Sequence, residues 1–159
     1  MPEPCPTPPR FQSGYGLPGN VTGASKLPWS WADERLSAAR NYWIATTRPG
    51  GRPDVAPVWG IWLDGAFYFS TDGGSRKGRN LVANGAAVLH LESGDEVVIV
   101  HGQITRLVDE TVIDRVSQVY QRKYDISMKV PGVEPFILEL RPSLAFTWLD
   151  SDCPNTATR

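Results

Sequence analysis

With 159 residues, 41% of them hydrophobic and 21% charged, and a formal net charge of −1, the chain has room for one domain with a buried core. The near-neutral balance argues against a general binder of nucleic acid or of anionic membranes. No run of about 20 apolar residues occurs, so no transmembrane helix is expected. The first residues lack the basic-then-apolar order of a signal peptide, and the expected location is the cytoplasm. The two cysteines, Cys5 and Cys153, stand in a Pro-rich and a polar segment, where neither a disulfide nor a metal site is expected.

Residues 1–28 hold seven of the fourteen prolines and four glycines. Such a segment cannot stay helical or paired for long, and reads as a flexible arm. Ser30 with Asp33 has capping-box spacing and predicts a helix to about Ala39. Tyr42–Arg48, rich in β-branched and aromatic residues, predicts a strand. Pro49-Gly50-Gly51-Arg52 is a turn, and a second strand runs from Pro53 to Leu63. Asp64-Gly65 signals a two-residue hairpin into a third strand, Ala66–Thr71, so that the three strands form an antiparallel meander. Pro57 cannot donate to a central ladder. It predicts a bulge or a free edge, where a ligand readily docks.

Ser75 is placed to cap a helix reaching Asn84, with Gly85 placed to end it. Ala86–Leu91 reads as a fourth strand, Ser93-Gly94-Asp95 as a turn and Glu96–Arg106 as a long fifth strand. From Asp109 to Tyr124 the period becomes helical: Val112, Val116, Val119 and Tyr120 share one face with Ile113 beside them, and Thr111 and Asp114 suit a capping box. Residues 125–135 form a loop. Phe136–Leu140 and Leu144–Leu149 are two last strands joined through Arg141-Pro142-Ser143, and a polar tail follows from Ser151. Six or seven short antiparallel strands with few helices define a mainly β chain. A small barrel closes the edges that an open sheet would expose.

The segment from Ser70 to Leu81 carries the most chemistry. It reads as a strand end, a glycine turn and a helix start, with Arg76, Lys77 and Arg79 in or near the first helical turn. Cations are disfavoured there, because the helix N-terminus already bears positive partial charge. Three together point to an anion between them, a phosphate above all. Lys77 supplies a point charge, Arg76 or Arg79 a planar fork, and Ser70, Thr71 and Ser75 hydroxyl donors. The plainer alternative is a solvated basic face paired with Asp72 or Glu92. The spacing of a Walker A loop is absent.

Other candidates are weaker. Six tryptophans (29, 31, 43, 59, 62 and 148) are many for this length; most suit core or interface filling, and one or two suit a flat aromatic ligand. His90 and His101, in separate predicted strands, lack metal-ligand spacing. No Gly-x-Ser-x-Gly elbow and no acid–base dyad occurs, so no catalytic residue and no metal site is assigned. Asp95, Glu96 and Glu92 read as hairpin solvation, and Tyr120 and Tyr124 as helix packing.

Six pieces in order, Ile44-Ala45-Thr46-Thr47, Gly51-Arg52-Pro53, Ala56-Pro57-Val58-Trp59, Phe67-Tyr68-Phe69-Ser70-Thr71, Ser75-Arg76-Lys77-Gly78-Arg79-Asn80-Leu81 and Asn84, resemble the split-barrel flavin and deazaflavin proteins related to pyridoxamine 5'-phosphate oxidase. The resemblance runs from about Asp33 to Asp150. It implies an antiparallel split β-barrel over residues 29–150, between the arm (1–28) and the tail (151–159). It also implies a homodimer with cofactor in two grooves at the interface. The phosphate would be held by Ser75, Arg76 and Lys77, with Arg79 near. The ring would lie along Pro57, Val58 and Trp59, close to Ser70 and Thr71. Asn80 would reach the cofactor from the helix, and Trp148 from the other subunit. Val-Ala-Pro-Val-Trp-Gly and Ser-Arg-Lys-Gly-Arg-Asn-Leu resemble the deazaflavin-using branch, so coenzyme F420 is the preferred cofactor and FMN the next. The missing Arg-containing C-terminal segment argues against pyridoxamine phosphate as substrate. The implied activity is hydride transfer from the reduced cofactor to a small organic acceptor. A cofactor carrier or sensor, and a haem-binding relative on the same barrel, are the alternatives.

Overall fold

The computed structural model describes the backbone of Pro6–Thr7 and residues 27–149. The remainder of the arm, the polar tail and both cysteines lie outside the described residues. The elements are β1 (Pro6–Thr7), α1 (Trp29–Ala38), β2 (Tyr42–Thr47), β3 (Pro53–Val58), β4 (Gly60–Leu63), β5 (Ala66–Ser70), α2 (Arg76–Ala83), β6 (Ala86–His90), β7 (Glu96–Arg106), α3 (Glu110–Tyr124) and β8 (Ile137–Leu149). The sheet order is β3-β2-β6-β7-β8-β5-β4, with β1 added in parallel to β8 through Pro6 and Ala145. All the other pairings are antiparallel.

One residue, Trp59, separates β3 from β4, yet these strands stand at opposite ends of the sheet order. The sheet must therefore curl until its two edges meet, which makes it a split barrel. Here the expected meander is corrected: the long second strand breaks at Trp59–Gly60, giving β2–β3 and β4–β5 as two separate hairpins. Gly60 is required at the break, since a Cβ there would lie 2.3 Å from the Phe67 ring and 2.6 Å from the Tyr68 carbonyl. β3 is an edge strand, and alternation from the bonded pair Arg48/Arg52 leaves Pro57 opposite Trp43 in a pair that exchanges no backbone hydrogen bonds, so its missing N–H costs the ladder nothing. The Asp64-Gly65 hairpin forms as expected, with both residues at positive φ (52° and 74°).

Four local expectations change. Ser30 lies inside α1, whose N-cap is Pro28; Asp33 instead accepts the Trp62 indole N–H at 2.7 Å, tying α1 to β4. Asp109, not Thr111, caps α3, accepting from the N–H groups of Thr111 and Val112. Helix α2 ends on Asn84 in extended geometry, one residue before Gly85. The two last strands are one, β8. Register slips opposite His101/Gly102, and this irregularity absorbs Pro142.

The two faces of the curled sheet differ. Tyr42, Ile44, Leu89, Val98, Val100, Leu140 and Ala145 point inward, and with α1 and Leu81 of α2 they form the main core. On the outer face α3 covers β4, β5 and the first half of β8, through Ile113, Val116, Tyr120 and Tyr124 against Ile61, Tyr68 and Ile137. Across β3, β2, β6, β7 and the second half of β8 no helix lies on the outer face among the described residues. Strand register aligns Pro57, Trp43, His90, Ile99 and Phe146 in one row there, and Val55, Ala45, Val88, His101 and Leu144 in the next. Val55 is 56% exposed and Leu144 39% exposed.

Candidate functional site

The helix start at Ser75 is built by a chain of short contacts. Strand β5 ends where the Ser70 hydroxyl donates to the Phe136 carbonyl at 3.3 Å. The next residues turn tightly: the Asp72 carboxylate accepts from the Gly74 N–H at 2.9 Å, and the Asp72 carbonyl accepts from the Ser75 N–H at 3.0 Å. Ser75 then caps α2 as expected, accepting from the Gly78 N–H at 3.0 Å, and its hydroxyl shares a proton with that of Thr71 at 3.3 Å. Gly78 rests directly on the turn: a Cβ there would lie 2.5 Å from the Asp72 carbonyl oxygen. Asn80 is buried and donates to the Thr46 hydroxyl at 3.0 Å, which bolts α2 to β2.

This fixation leaves the basic residues unspent. Among the described residues, none of Arg76, Lys77 and Arg79 is ion-paired; Arg79 donates to the Gly74 carbonyl, and Asp72 is occupied by Gly74. Arg76 is exposed, whereas Lys77 is partly buried, and desolvation pulls its ammonium below the usual lysine range. The N–H groups of Arg76 and Lys77, at the first two helical positions, have no acceptor among the described residues. Two free backbone donors, a partly buried lysine and an exposed arginine thus stand in the first turn of one helix. That donor set fits a phosphate.

The predicted ring platform divides. Pro57 is exposed on the β3 edge. Val58 is 7% exposed and points into the core, opposite Tyr42 of β2, so its side chain does not face a ligand. Trp59 is 41% exposed and stacks on Tyr124, with centroids 4.9 Å apart and planes within 5°. Strand β2 links this platform to α2, since Thr46 is bonded to Asn80 and pairs with Asp54 of β3. Trp148 faces outward opposite Val97 on β8, and among the described residues no ring stacking joins it to Trp59.

Sequence reasoning missed two features. One is a groove of about 540 Å³ on the uncovered outer face, lined by Ala45, Thr47, Pro53, Val88, His101 and Gln103 among others. None of the predicted site residues lines it; small residues on adjacent strands were its only trace. The other is the partnership of Tyr124 with Trp59, which joins residues far apart in the chain. His90 stacks on Trp43 with its Nδ1 2.8 Å from the Leu91 carbonyl, and His101 lies edge-on to Phe146. Among the described residues no His, Cys, Asp or Glu cluster suits a metal, and no helix is long and apolar enough to cross a membrane.

Solved structures share this architecture. An F420 reductase superposes with a TM-score of 0.56 at 23% identity, over 71% of this chain and 94% of that one. A conserved hypothetical protein from Mycobacterium tuberculosis gives 0.65 at 18% identity, over 84% and 92%. A FAD-binding protein from Mesorhizobium loti gives 0.61 at 21% identity, over 75% and 92%. At these identities the likeness establishes the split-barrel fold. No curated protein matches the sequence. The profile of the pyridoxamine 5'-phosphate oxidase family matches residues 32–148. The chain therefore belongs to the pyridoxamine 5'-phosphate oxidase family.

Proposed function

We propose that this protein is a reductase that binds a flavin-type cofactor, with the deazaflavin coenzyme F420 preferred over FMN, and works as a homodimer on a small organic acceptor. The observation that carries this reading is the partly buried Lys77, without a carboxylate partner among the described residues, beside N–H groups of the α2 start that have no acceptor among them. A desolvated cation without a counter-ion is costly unless a ligand completes it. In this reading Ser75, Arg76 and Lys77 hold the phosphate, with Arg79 behind them. Asn80 acts by fixing α2 on Thr46. Pro57, Val58 and Trp59 form the strand end along which the ring lies, with Pro57 and Trp59 exposed to it, and Ser70 and Thr71 border the passage to the phosphate.

A bound flavin or deazaflavin ring supplies hydride chemistry of its own, so the protein needs to position and desolvate rather than to provide an acid–base pair. The uncovered outer face, with its apolar rows and its groove, suits a second copy of the chain, whose Trp148 would approach the ring from across the interface. Family membership and the solved F420 reductase and FAD-binding protein of the same fold support a flavin-type cofactor. Side-by-side titration of F420 and FMN, followed by oxidation of the reduced cofactor with quinones and enones, tests the reading. Tight binding of one cofactor with turnover is expected. Binding without turnover would make the protein a carrier, and no binding of either would refute the proposal.

A further inference from the structure

The break between β3 and β4 is locked from α3. The Tyr124 hydroxyl accepts from the Gly60 N–H at 3.1 Å, and shares its proton between the carbonyls of Arg40 at 2.6 Å and Gly60 at 2.8 Å. The Lys123 ammonium donates to the Gly60 carbonyl at 3.0 Å and to the Tyr42 hydroxyl at 2.9 Å. These bonds fix the peptide next to Trp59 while its indole lies flat on the Tyr124 ring. One indole face is thus covered and the ring is held rigid. Rigidity lowers the entropic cost of stacking a planar ligand on what remains open.

Arg40 stands beside this stack. Its guanidinium is 5.6 Å from the centres of both the Trp59 and the Tyr124 rings, and its side chain is exposed. Among the described residues no carboxylate pairs with Arg40 or with Lys123. The two cations repel, and that repulsion adds to burial in lowering the Lys123 ammonium. A rigid, half-open indole flanked by an uncompensated guanidinium matches a flat molecule that carries negative charge.

We infer that Arg40 and the Trp59–Tyr124 stack form the acceptor subsite, and that it selects a planar aromatic molecule bearing a carboxylate. This deepens the reductase reading and rests on it: the subsite adjoins the ring platform at Trp59, on the side away from the phosphate segment's own cations. Arg40 anchors the carboxylate, and Tyr124 is a positioning residue acting through Trp59.

Equilibrium dialysis with 2-naphthoate and its neutral isostere 2-naphthamide tests it on the full chain. Wild type is expected to prefer the naphthoate by about fivefold, the yield of one exposed charge contact. Arg40→Gln should remove that preference and leave naphthamide binding unchanged, while Trp59→Leu should weaken both probes. Equal binding of the two probes by wild type, or a preference that survives in Arg40→Gln, would overturn the inference. Lys77→Ala, measured in parallel, should keep the naphthoate preference while losing cofactor, so that failure of the anchor and failure of the phosphate site register separately.

Discussion

Lys123 makes stability depend on alkaline pH in a direction opposite to that of the tyrosines around it. Burial, and secondarily Arg40, bring its ammonium down to about 8 from an ordinary 10.5. Between those values the unfolded chain holds a proton that the folded chain has shed, so stability rises with pH across that window. Deprotonation leaves the amine two N–H donors, enough for its bonds to Gly60 and Tyr42, so charge is lost without loss of contacts. The full gap corresponds to about 3 kcal/mol, and discounting for the partial exposure of the group leaves ~1–2 kcal/mol. Lys77, lowered by burial, adds in the same direction. Tyr68, pushed up to about 12, and Tyr42, Tyr120 and Tyr124, also raised by burial, act oppositely. Above their ordinary value of 10.0 the unfolded chain loses protons first and stability falls. Urea unfolding followed by tryptophan fluorescence should therefore show a midpoint that climbs from pH 7.5 to a maximum below pH 10 and then drops. Lys123→Met should flatten most of the climb, whatever its effect on the absolute level. A wild-type midpoint that is flat or falling between pH 7.5 and 9.5, or a climb unchanged in Lys123→Met, would rule out Lys123 as the source of this pH dependence.

Gly78→Ala should destabilise the fold by ~1–2 kcal/mol, because overpacking against the Asp72–Gly73 backbone outweighs the gain in helix propensity. The same shift of α2 should weaken cofactor binding, and unfolding and titration data on the variant check both effects. Trp62→Phe removes the bond to Asp33 and should cost about 1–2 kcal/mol in chemical unfolding. Leu144→Asp places a charge on the uncovered outer face of the sheet. Light scattering should find wild type dimeric and the variant monomeric with its unfolding midpoint little changed; a monomeric wild type would contradict the dimer.

Local chemistry was legible where it was self-contained. Ser75 capping, the Asp64-Gly65 hairpin, the full span of Glu96–Arg106 and the α3 face at Ile113, Val116 and Tyr120 depend on neighbours a few residues apart. The break at Gly60 was not, because it is imposed by the Phe67 ring and the Tyr68 carbonyl across the hairpin. Ser30 and Thr111 misled because Pro28 and Asp109 compete for the same caps, and Asp33 is drawn away by a tryptophan 29 positions on. Pro142 suggested two strands, because a proline disrupts a central ladder, and the slip that accommodates it, with Ser143 unpaired beside it on β8 opposite His101 and Gly102, has no signal in the local sequence. At the site, Arg76 and Lys77 could be read from their conflict with the helix dipole. Trp59 was read from its place in the Ala56–Trp59 piece, but Arg40, Lys123 and the stacking of Tyr124 on Trp59 were not, since β3, β4 and α3 meet only in the folded chain.

The proposed phosphate site is tested by titrating F420 and FMN into wild type, Lys77→Ala and Arg76→Ala, with riboflavin as the phosphate-free control. Loss of the partly buried ammonium should weaken the phosphate-bearing cofactor by roughly 10- to 100-fold, the range of a charge-assisted bond. Riboflavin binding should be the same for all three proteins. Variants that bind both cofactors as tightly as wild type would contradict the assignment of Ser75–Lys77 as the phosphate site.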